Sequence, residues 1–234
     1  MDQPDPTGPP DTGVHGAIEA LFFDFDGLIL DTESSEYLTV RDEFELHGVE
    51  LPFEQWQAII GSADHPHWMD WLEREVGRPL ERRDEIRARR MASHHARIAQ
   101  EQIRPGVVEL LDAAAREHIP CGVASSSPSS WVEGHLERLG LLDRFAVVRT
   151  RDHVDRGKPW PDVYLAAAAA LAVRPDRSVA LEDSHNGSLG AKAAGMWCVV
   201  VPNDMTRGQD FSHADLVVDS LGDVALEGLV RLRG

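Results

Sequence analysis

Short runs of consecutive apolar residues recur along the chain and predict buried β-strands. The first run, AIEALFFDFDG (17–27), ends in acidic residues and a glycine. Five later runs have the same character: IPCGVASSS (119–127), FAVVRT (145–150), SVALEDS (178–184), MWCVVVP (196–202) and ADLVVDS (214–220). Continuous apolar runs of this length are typical of strands that are covered on both faces of a sheet.

Helical patterns separate these strands from residue 105 onward, at 107–118, 129–139, 161–172 and 186–194. The segment YLAAAAALAV (164–173) consists of strong helix formers, and Pro161 suits the first turn of a helix. Strands that alternate with helices predict an α/β fold, with a doubly wound (Rossmann-like) parallel sheet as its core.

Residues 36–102 interrupt this alternation, because they contain no convincing strand and end in a long charged helical segment, 81–101. We predict a small all-helical cap domain (36–102), inserted after the first strand of a core formed by 17–35 and 103–234. Three tryptophans of the insert are expected to pack in its interior rather than to stack on a substrate: Trp56, Trp68 and Trp71. Residues 1–16, rich in Pro, Gly and Asp, are predicted to be a disordered tail.

The charge of the chain narrows its choice of partners. Its 234 residues contain 23 Lys and Arg against 40 Asp and Glu, a formal net charge of −17. General binding to nucleic acid or to anionic membranes relies on excess Lys and Arg, so we expect neither partner. The same charge also argues against an anionic substrate, unless a site on the protein reverses the sign locally.

The remaining composition indicates a soluble protein of a reducing compartment. Cys121 and Cys198 lie in apolar runs without a CxxC pair, which favours two buried thiols. No run approaches the length of a membrane span, and the N-terminus lacks the basic start and apolar core of a signal peptide. We therefore expect a cytoplasmic protein, and nothing in the sequence demands more than a monomer.

Polar side chains that could take part in catalysis or ligand binding follow four of the predicted strands. Ligands of open α/β sheets bind beyond the carboxyl ends of the strands, at the point where the strand order switches. The residues delivered there are Asp24 and Asp26 after the first strand, Ser125, Ser126 and Ser127 after the second, Lys158 after the third, and Glu182 and Asp183 after the fourth.

Four carboxylates at neighbouring strand ends would repel one another unless a cation held them. Oxygen ligands without His or Cys favour Mg²⁺, which commonly shares the oxygens of a substrate phosphate. Alternation along the first strand points Asp24 and Asp26 to the same side, so one can attack a phosphoryl group while the other reaches the leaving group. A hydroxyl and a cation are then needed for the phosphate, and Ser125 and Lys158 supply them.

These residues resemble the four motifs of the haloacid dehalogenase superfamily. FDFDGLILDTE (23–33) looks like its first motif, VASSS (123–127) its hydroxyl motif, GKP (157–159) its lysine motif and LEDS (181–184) its acidic motif. All four occur in the order and with the spacing of the family, and the helical insert lies where the family has its cap. The resemblance covers roughly residues 18–220.

The resemblance implies a role for each residue. Asp24 would be the nucleophile and a Mg²⁺ ligand, and Asp26 the general acid/base and a ligand through its backbone carbonyl. Asp183 would ligate the metal with support from Glu182. The residues implied for phosphate binding are Ser125, Ser126 and Lys158. Dehalogenases of the superfamily lack the second aspartate, so Asp26 together with Glu182 and Asp183 favours an enzyme that acts on phosphate groups.

The closest likeness within the superfamily is to β-phosphoglucomutase-like phosphatases. Mutases of that group carry a His where this chain has Glu36, and a phosphate-binding Arg in the cap turn that here reads GSAD (61–64). We therefore predict a phosphatase of a small phosphorylated metabolite, such as a sugar phosphate, that works through an aspartyl-phosphate. A sugar phosphomutase is the alternative enzyme, and a non-catalytic binding protein on the same scaffold is the third hypothesis.

Three further patterns resemble known motifs only weakly. DHPHW (64–68) has the residue types of a metal site but lacks a further ligand nearby, which favours a solvated or substrate-facing turn. Gly157-Lys158 lacks the upstream Gly and the following Ser or Thr of a nucleotide P-loop. Gly187 and Gly190 suit the start and the packing of a helix better than a dinucleotide site.

Overall fold

The computed structural model describes residues 18–62 and 65–232, and it has six strands in one parallel sheet. The strands are β1 (Ala20–Phe23), β2 (Cys121–Ala124), β3 (Val147–Arg149), β4 (Ser178–Glu182), β5 (Trp197–Val200) and β6 (Leu216–Val217). Their order across the sheet is β3-β2-β1-β4-β5-β6, and every neighbouring pair is parallel. The predicted α/β fold with a Rossmann-like parallel sheet is confirmed.

Nine α-helices accompany these strands in the described part of the chain. Four lie between β1 and β2: α1 (Glu33–Leu46), α2 (Phe53–Ile59), α3 (Trp68–Val76) and α4 (Arg83–Ile98). Five belong to the sheet: α5 (Val107–Arg116), α6 (Ser129–Arg138), α7 (Asp162–Leu171), α8 (His185–Ala193) and α9 (Leu226–Leu232). Helix α1 begins at Glu33 and so runs across the domain boundary that we placed between residues 35 and 36.

The strands are apolar at nearly every position because both faces of the sheet are covered. Leu21 and Phe23 of β1 face one buried cluster, which includes residues of α5 and α6. Ala20 and Phe22 face a second cluster, which includes residues of α7 and α8. The two thiols are buried and unpaired, with burial raising the pKa of Cys121 to about 12.

The helical insert, which we define as residues 33–98, has a hydrophobic cluster of its own. Phe44 of α1 and Met69 of α3 are fully buried there, together with Trp56, Trp68 and Trp71. All three tryptophans are therefore buried as expected, and Trp56 and Trp68 also line a cavity between the insert and the core. Apolar side chains therefore cover both faces of the sheet and fill the interior of the insert.

The proposed tail, residues 1–16, lies outside the described residues, and so do Ala63 and Asp64 of the cap turn. Within the described residues, none of the helices combines the length and the apolar composition that a membrane crossing requires.

Candidate active site

The strand register brings the predicted acidic residues together at the centre of the sheet. Strand β1 lies between β2 and β4, which is where the strand order switches direction. Phe23 is paired with Leu181, so Asp24 emerges from β1 beside Glu182 at the carboxyl end of β4. The site therefore lies where open α/β sheets bind their ligands.

Lys158 joins two of these acids into one buried network. Its Nζ donates a hydrogen bond to Asp24 Oδ1 and another, 2.6 Å long, to Glu182 Oε1. Tyr164 of α7 donates its hydroxyl hydrogen to the same Glu182 oxygen. Glu182 Oε2 accepts from the backbone N–H of Asp183 at 3.2 Å and from the Ser184 hydroxyl at 3.3 Å. Both oxygens of Glu182 are thus engaged in holding its neighbours.

Burial sets the electrostatics of this network. It raises the pKa of Asp24 to about 8, with Lys158 acting in the opposite direction and Glu182 in the same direction. It also raises the pKa of Asp183 well above its usual range, with help from the charges of Asp24 and Glu182. Burial alone would lower the pKa of Lys158, but the charges of Asp24 and Glu182 outweigh it and raise that pKa. The raised pKa values of Asp24 and Asp183 mean that the three acids do not all ionise beside Lys158 unless a further positive charge joins them.

Asp183 is fixed by a residue that follows β5. Asn203 Nδ2 donates to Asp183 Oδ2 at 2.7 Å and to the carbonyl oxygen of Gly27 at 3.3 Å. Gly27 has a φ of +84°, and a Cβ at this position would stand 2.2 Å from Asp183 Oδ2. The backbone after β1 therefore passes so close to Asp183 that only glycine fits there.

The same acids fit a divalent cation. Asp24, Glu182 and Asp183 are buried, and each places one oxygen within 4.8 Å of an oxygen of the other two. An all-oxygen donor set suits Mg²⁺, and a second cation beside Lys158 would allow all three acids to ionise. Because Glu182 is occupied by Lys158, Tyr164 and Ser184, Asp24 and Asp183 are the better placed ligands.

Asp26 lies outside this cluster and has partners of a different kind. Its Oδ1 accepts hydrogen bonds from Thr32 Oγ1 at 2.8 Å and from Trp131 Nε1 at 2.9 Å. Its Oδ2 accepts from Ser127 Oγ at 2.7 Å and from Ser125 Oγ at 3.3 Å. These four donors, all neutral, orient the carboxylate of Asp26.

The two predicted phosphate-binding serines occupy different surroundings. Ser125 is fully buried, and its hydroxyl contacts Asp26 and accepts from the backbone N–H of Ser127 at 3.0 Å. Ser126 faces the cavity described below and donates to the carbonyl oxygen of Gly61 in the insert at 3.2 Å. Ser125 thus helps to orient Asp26, and Ser126 joins the insert to the core.

A cavity of about 520 Å³ lies between the core and the helical insert. Its volume is in the range of small-molecule sites. The core contributes Asp24, Asp26, Ser126, Ser127 and Trp131, and the insert contributes Glu36, Trp56, Trp68, Arg90 and His94. Arg90 is 6% exposed and donates to Glu36 Oε1 at 2.7 Å, so an ion pair forms part of the wall contributed by the insert.

The end of α2 docks directly onto the core. Gln57 Nε2 donates to the carbonyl oxygen of Met205 at 2.8 Å, and Gln209 Nε2 donates to the carbonyl oxygen of Gln57 at 2.6 Å. Asn186 Nδ2 donates to the carbonyl oxygen of Ile60 at 2.8 Å. The insert therefore reaches across the cavity and closes it with hydrogen bonds to backbone carbonyls.

Sequence reasoning missed several residues of this site. Asn203 follows the carboxyl end of β5, so the rule that identified Asp24 and Asp183 would have found it if applied to the fifth strand. Tyr164 and Trp131 lie on helices, where nothing in the local pattern distinguishes them from residues of the core. Arg90 lies in the charged helical segment, and its position in the cavity follows only from the way in which α4 packs on α1.

Comparison with known proteins places this site in a family. Residues 18–195 match the description "Hydrolase: haloacid dehalogenase-like hydrolase". The YhcW protein of Bacillus subtilis (strain 168), named as a candidate phosphatase, is 44% identical over 211 residues, which are 89% of this chain and 94% of the relative. The β-phosphoglucomutase of the same organism is 30% identical over 218 residues, covering 90% of this chain and 93% of that enzyme.

A solved structure extends the comparison to the fold. The crystal structure of CbbY from Rhodobacter sphaeroides in complex with phosphate superposes with a TM-score of 0.74 at 31% identity. The match covers 91% of this chain and 99% of the other. The similarity therefore includes the helical insert as well as the sheet.

Proposed function

The chain belongs to the haloacid dehalogenase-like hydrolases, as an enzyme of their β-phosphoglucomutase-like phosphatase branch, and on this premise we propose that it is a Mg²⁺-dependent phosphatase of a small phosphorylated metabolite. One observation carries the proposal: Asp24 lies at the switch point of the sheet, hydrogen-bonded to the buried Lys158 and within reach of the cavity. A carboxylate in this position can attack a phosphoryl group that enters from the insert side.

The first step transfers the phosphoryl group to Asp24. A carboxylate oxygen of Asp24 forms a bond to phosphorus while the bond from phosphorus to the leaving alcohol oxygen breaks. That oxygen receives a proton from Asp26, and the carboxylate of Asp24 becomes an aspartyl-phosphate.

The second step restores the enzyme. A water molecule gives a proton to Asp26 while its oxygen bonds to phosphorus, and the bond between phosphorus and Asp24 breaks. Inorganic phosphate leaves, and both aspartates return to their starting states, so that the atoms and protons balance over the cycle.

Charge neutralisation falls to Lys158 and to the metal. Lys158 holds Asp24 in place and offers positive charge to the phosphate oxygens, and Glu182 and Tyr164 hold Lys158. Asp24, Asp183 and the backbone carbonyl of Asp26 would hold Mg²⁺, which supplies positive charge for the phosphate when bound. Ser126, which lines the cavity, would orient the phosphate from the loop after β2, and Ser125 would act beside it by holding Asp26.

The insert acts as a cap in this proposal. Its contacts at Gln57, Ile60 and Gly61 close the cavity over the aspartates, which excludes bulk water during transfer to Asp24. Opening would admit water and release the products. The residues that the insert contributes to the cavity, Glu36 and Arg90 among them, would then select the substrate.

Turnover of a panel of phosphomonoesters tests the proposal. Purified protein with Mg²⁺ should release phosphate from at least one sugar phosphate, nucleotide or phosphoglycolate, and Asp24→Asn should lower that rate by at least about a thousandfold. Asp219→Asn, at an exposed aspartate that does not line the cavity, serves as the matched control and should keep the wild-type rate. No turnover of any ester, or full activity of Asp24→Asn, would contradict the proposal.

A sugar phosphomutase is the second candidate, supported by 30% identity to β-phosphoglucomutase and by the positive charge of Arg90 in the cavity wall. Glu36 argues against it, because it pairs with Arg90 and would repel a second phosphate. Conversion of a hexose 1-phosphate to the 6-phosphate, stimulated by a bisphosphate, would favour the mutase. Tight binding of phosphometabolites without turnover would instead favour a non-catalytic binding protein.

A further inference from the structure

Trp131 is the donor to Asp26 that the proposed reaction does not yet use. Two of the other three donors, Ser125 and Ser127, lie in the loop after β2, and Thr32 directly precedes α1. Trp131 lies in the first turn of α6 and donates its indole N–H to Asp26 Oδ1 at 2.9 Å. It also lines the cavity, so it touches the site and the insert at once.

The indole ring of Trp131 is covered by a residue of the insert. His94 of α4 stacks on it with ring centroids 5.4 Å apart and an interplanar angle of 8°. His135 of α6 meets the ring edge-on at 4.3 Å. His95 of α4 lies beside the same ring, with centroids 6.2 Å apart and an interplanar angle of 30°. The contact with His135 therefore belongs to the helix of Trp131, whereas those with His94 and His95 depend on where the insert lies.

His94 is held firmly within the insert. It is 4% exposed, and its Nδ1 lies 3.1 Å from the Ser35 hydroxyl of α1, so α1 and α4 position the ring together. Burial lowers the pKa of His94 to about 4, which leaves a neutral aromatic ring at neutral pH. A neutral ring in parallel contact with an indole is a favourable aromatic pair.

We propose that Trp131 is a positioning residue that couples closure of the insert, through the stacked ring of His94, to the orientation of Asp26. This inference rests on the proposed function, in which Asp26 is the general acid/base. When the insert is closed, His94 fixes the indole and the indole fixes Oδ1 of Asp26. When it opens, the stacked face is lost and the bond from the indole N–H to Oδ1 weakens, while Ser125, Ser127 and Thr32 still hold Asp26. Proton transfer from Asp26 is thereby favoured in the closed enzyme.

Leaving-group dependence of kcat/KM separates this role from a structural one. Alkyl phosphates need a proton on the leaving oxygen, whereas p-nitrophenolate leaves without one, and kcat/KM reports only the steps up to phosphoryl transfer. Trp131→Phe keeps an aromatic ring at this position, although a smaller one, and removes the indole N–H. It should lower kcat/KM for the best alkyl phosphate of the panel by about tenfold or more, and that for p-nitrophenyl phosphate by less than about twofold.

Variants of His94 test the coupling to the insert. His94→Ala removes the stacked ring and should reproduce the selective loss, and His94→Phe keeps a flat ring and should recover most of the activity. Trp197→Phe, at a half-buried tryptophan of β5, is the matched control and should leave kcat/KM unchanged for both substrates. Melting curves for each variant verify folding. If Trp131→Phe does not fold, the comparison of His94→Ala with His94→Phe tests the proposed coupling.

Asp26→Asn distinguishes failure of the inference from failure of the proposed function. If Asp26→Asn loses alkyl phosphate turnover selectively but Trp131→Phe lowers both substrates equally, Trp131 is only a wall of the cavity and the inference is wrong. Equal activity of His94→Ala and His94→Phe would overturn the coupling to the insert. If Asp26→Asn shows no selectivity, Asp26 is not the general acid, and the proposed mechanism fails with the inference.

Discussion

Lys158 is a cation buried between two carboxylates, and the chain contains only one other lysine, Lys192. Lys158 is 1% exposed, whereas the side chain of Lys192 is 31% exposed and pairs with Asp215 at 2.6 Å. Removal of one member of a buried ion pair leaves an uncompensated charge, which costs far more than removal of an exposed one. The two lysines therefore form a natural comparison.

Lys158→Met should lower the free energy of unfolding by about 3–5 kcal/mol in the metal-free protein, because Asp24 and Glu182 lose their shared cation. Lys192→Met should cost at most about 1 kcal/mol. Urea denaturation of both variants at neutral pH measures the difference. Equal losses would show that the buried network does not depend on Lys158.

Gly27→Ala should abolish Mg²⁺-dependent turnover, because its Cβ would stand 2.2 Å from Asp183 Oδ2 and displace that carboxylate. Gly48→Ala is the matched control, since Gly48 has a similar φ of +74° and a Cβ added there would have nothing within 4 Å. The control isolates backbone strain, about 1–2 kcal/mol, from the steric displacement. Phosphate release by both variants gives the answer, and equal activity would refute the steric argument.

Individual residues of the site differ in how far the sequence reveals them. Asp24, Glu182 and Asp183 were predictable, because each ends an apolar strand and parallel strands bring their carboxyl ends to one edge. The insert-side residues were not, because a charged helix shows which residues are polar but not which of them the packing turns inward. Arg90 and Trp131 became visible only through their contacts with Glu36 and Asp26.

Strands and helices were predicted with greater success than their junctions. The six continuous apolar runs became the six strands of the sheet. Burial on both faces accounts for the apolar residues of β1, β2, β4 and β5, whereas the edge strand β6 is partly exposed. The docking of α2 on the core depends on tertiary hydrogen bonds, such as that from Asn186 to the Ile60 carbonyl. No local pattern in the sequence encodes such contacts.

Gly61 is a point where the backbone of the insert comes very close to the core. A Cβ there would lie 2.1 Å from Ser184 Oγ, so Gly61→Ala should push the insert away and lower kcat/KM by about tenfold, as overpacking of about 1–3 kcal/mol implies. Gly77→Ala, at the end of α3, has a φ of +74° and open space around the added methyl group. It should keep the wild-type kcat/KM; if both variants lose activity alike, the docking contact is not what matters.

The acidic character of the whole protein is compatible with an anionic substrate. The net charge of −17 describes the entire chain, but Lys158 is hydrogen-bonded to Asp24 at the site and Arg90 lines the cavity. A divalent cation beside Lys158 would reverse the local sign. Net charge still argues against nucleic acid as a partner, and the monomeric, cytoplasmic protein expected from the sequence stays a prediction.

Stability of the metal-free protein should fall as pH rises from about 4 to about 8. Folding raises the pKa of Asp24 from 3.8 to about 8, so its contribution is fully present below the unfolded pKa and is lost as pH rises through the folded one. Asp183 is shifted in the same direction. The raised pKa of Lys158 keeps that residue charged throughout this range.

Mg²⁺ should reverse this loss, and more strongly at about pH 8 than at about pH 5, because the ligands must be ionised to bind it. A concentration of about 100 times Kd would add about 2.7 kcal/mol, or roughly 5–10 °C in Tm for a chain of this size. Thermal melts with EDTA or Mg²⁺ at both pH values test this expectation. A shift of the same size in Asp183→Asn would show that the ion binds elsewhere.

Mass spectrometry of enzyme that is acid-quenched during turnover of an alkyl phosphate with Mg²⁺ shows whether Asp24 carries the phosphoryl group. We expect one phosphoryl group on the peptide that contains Asp24, and none on that peptide from Asp24→Asn. Rapid phosphate release with an unmodified Asp24 peptide, or with the phosphoryl group on another residue, would contradict the account.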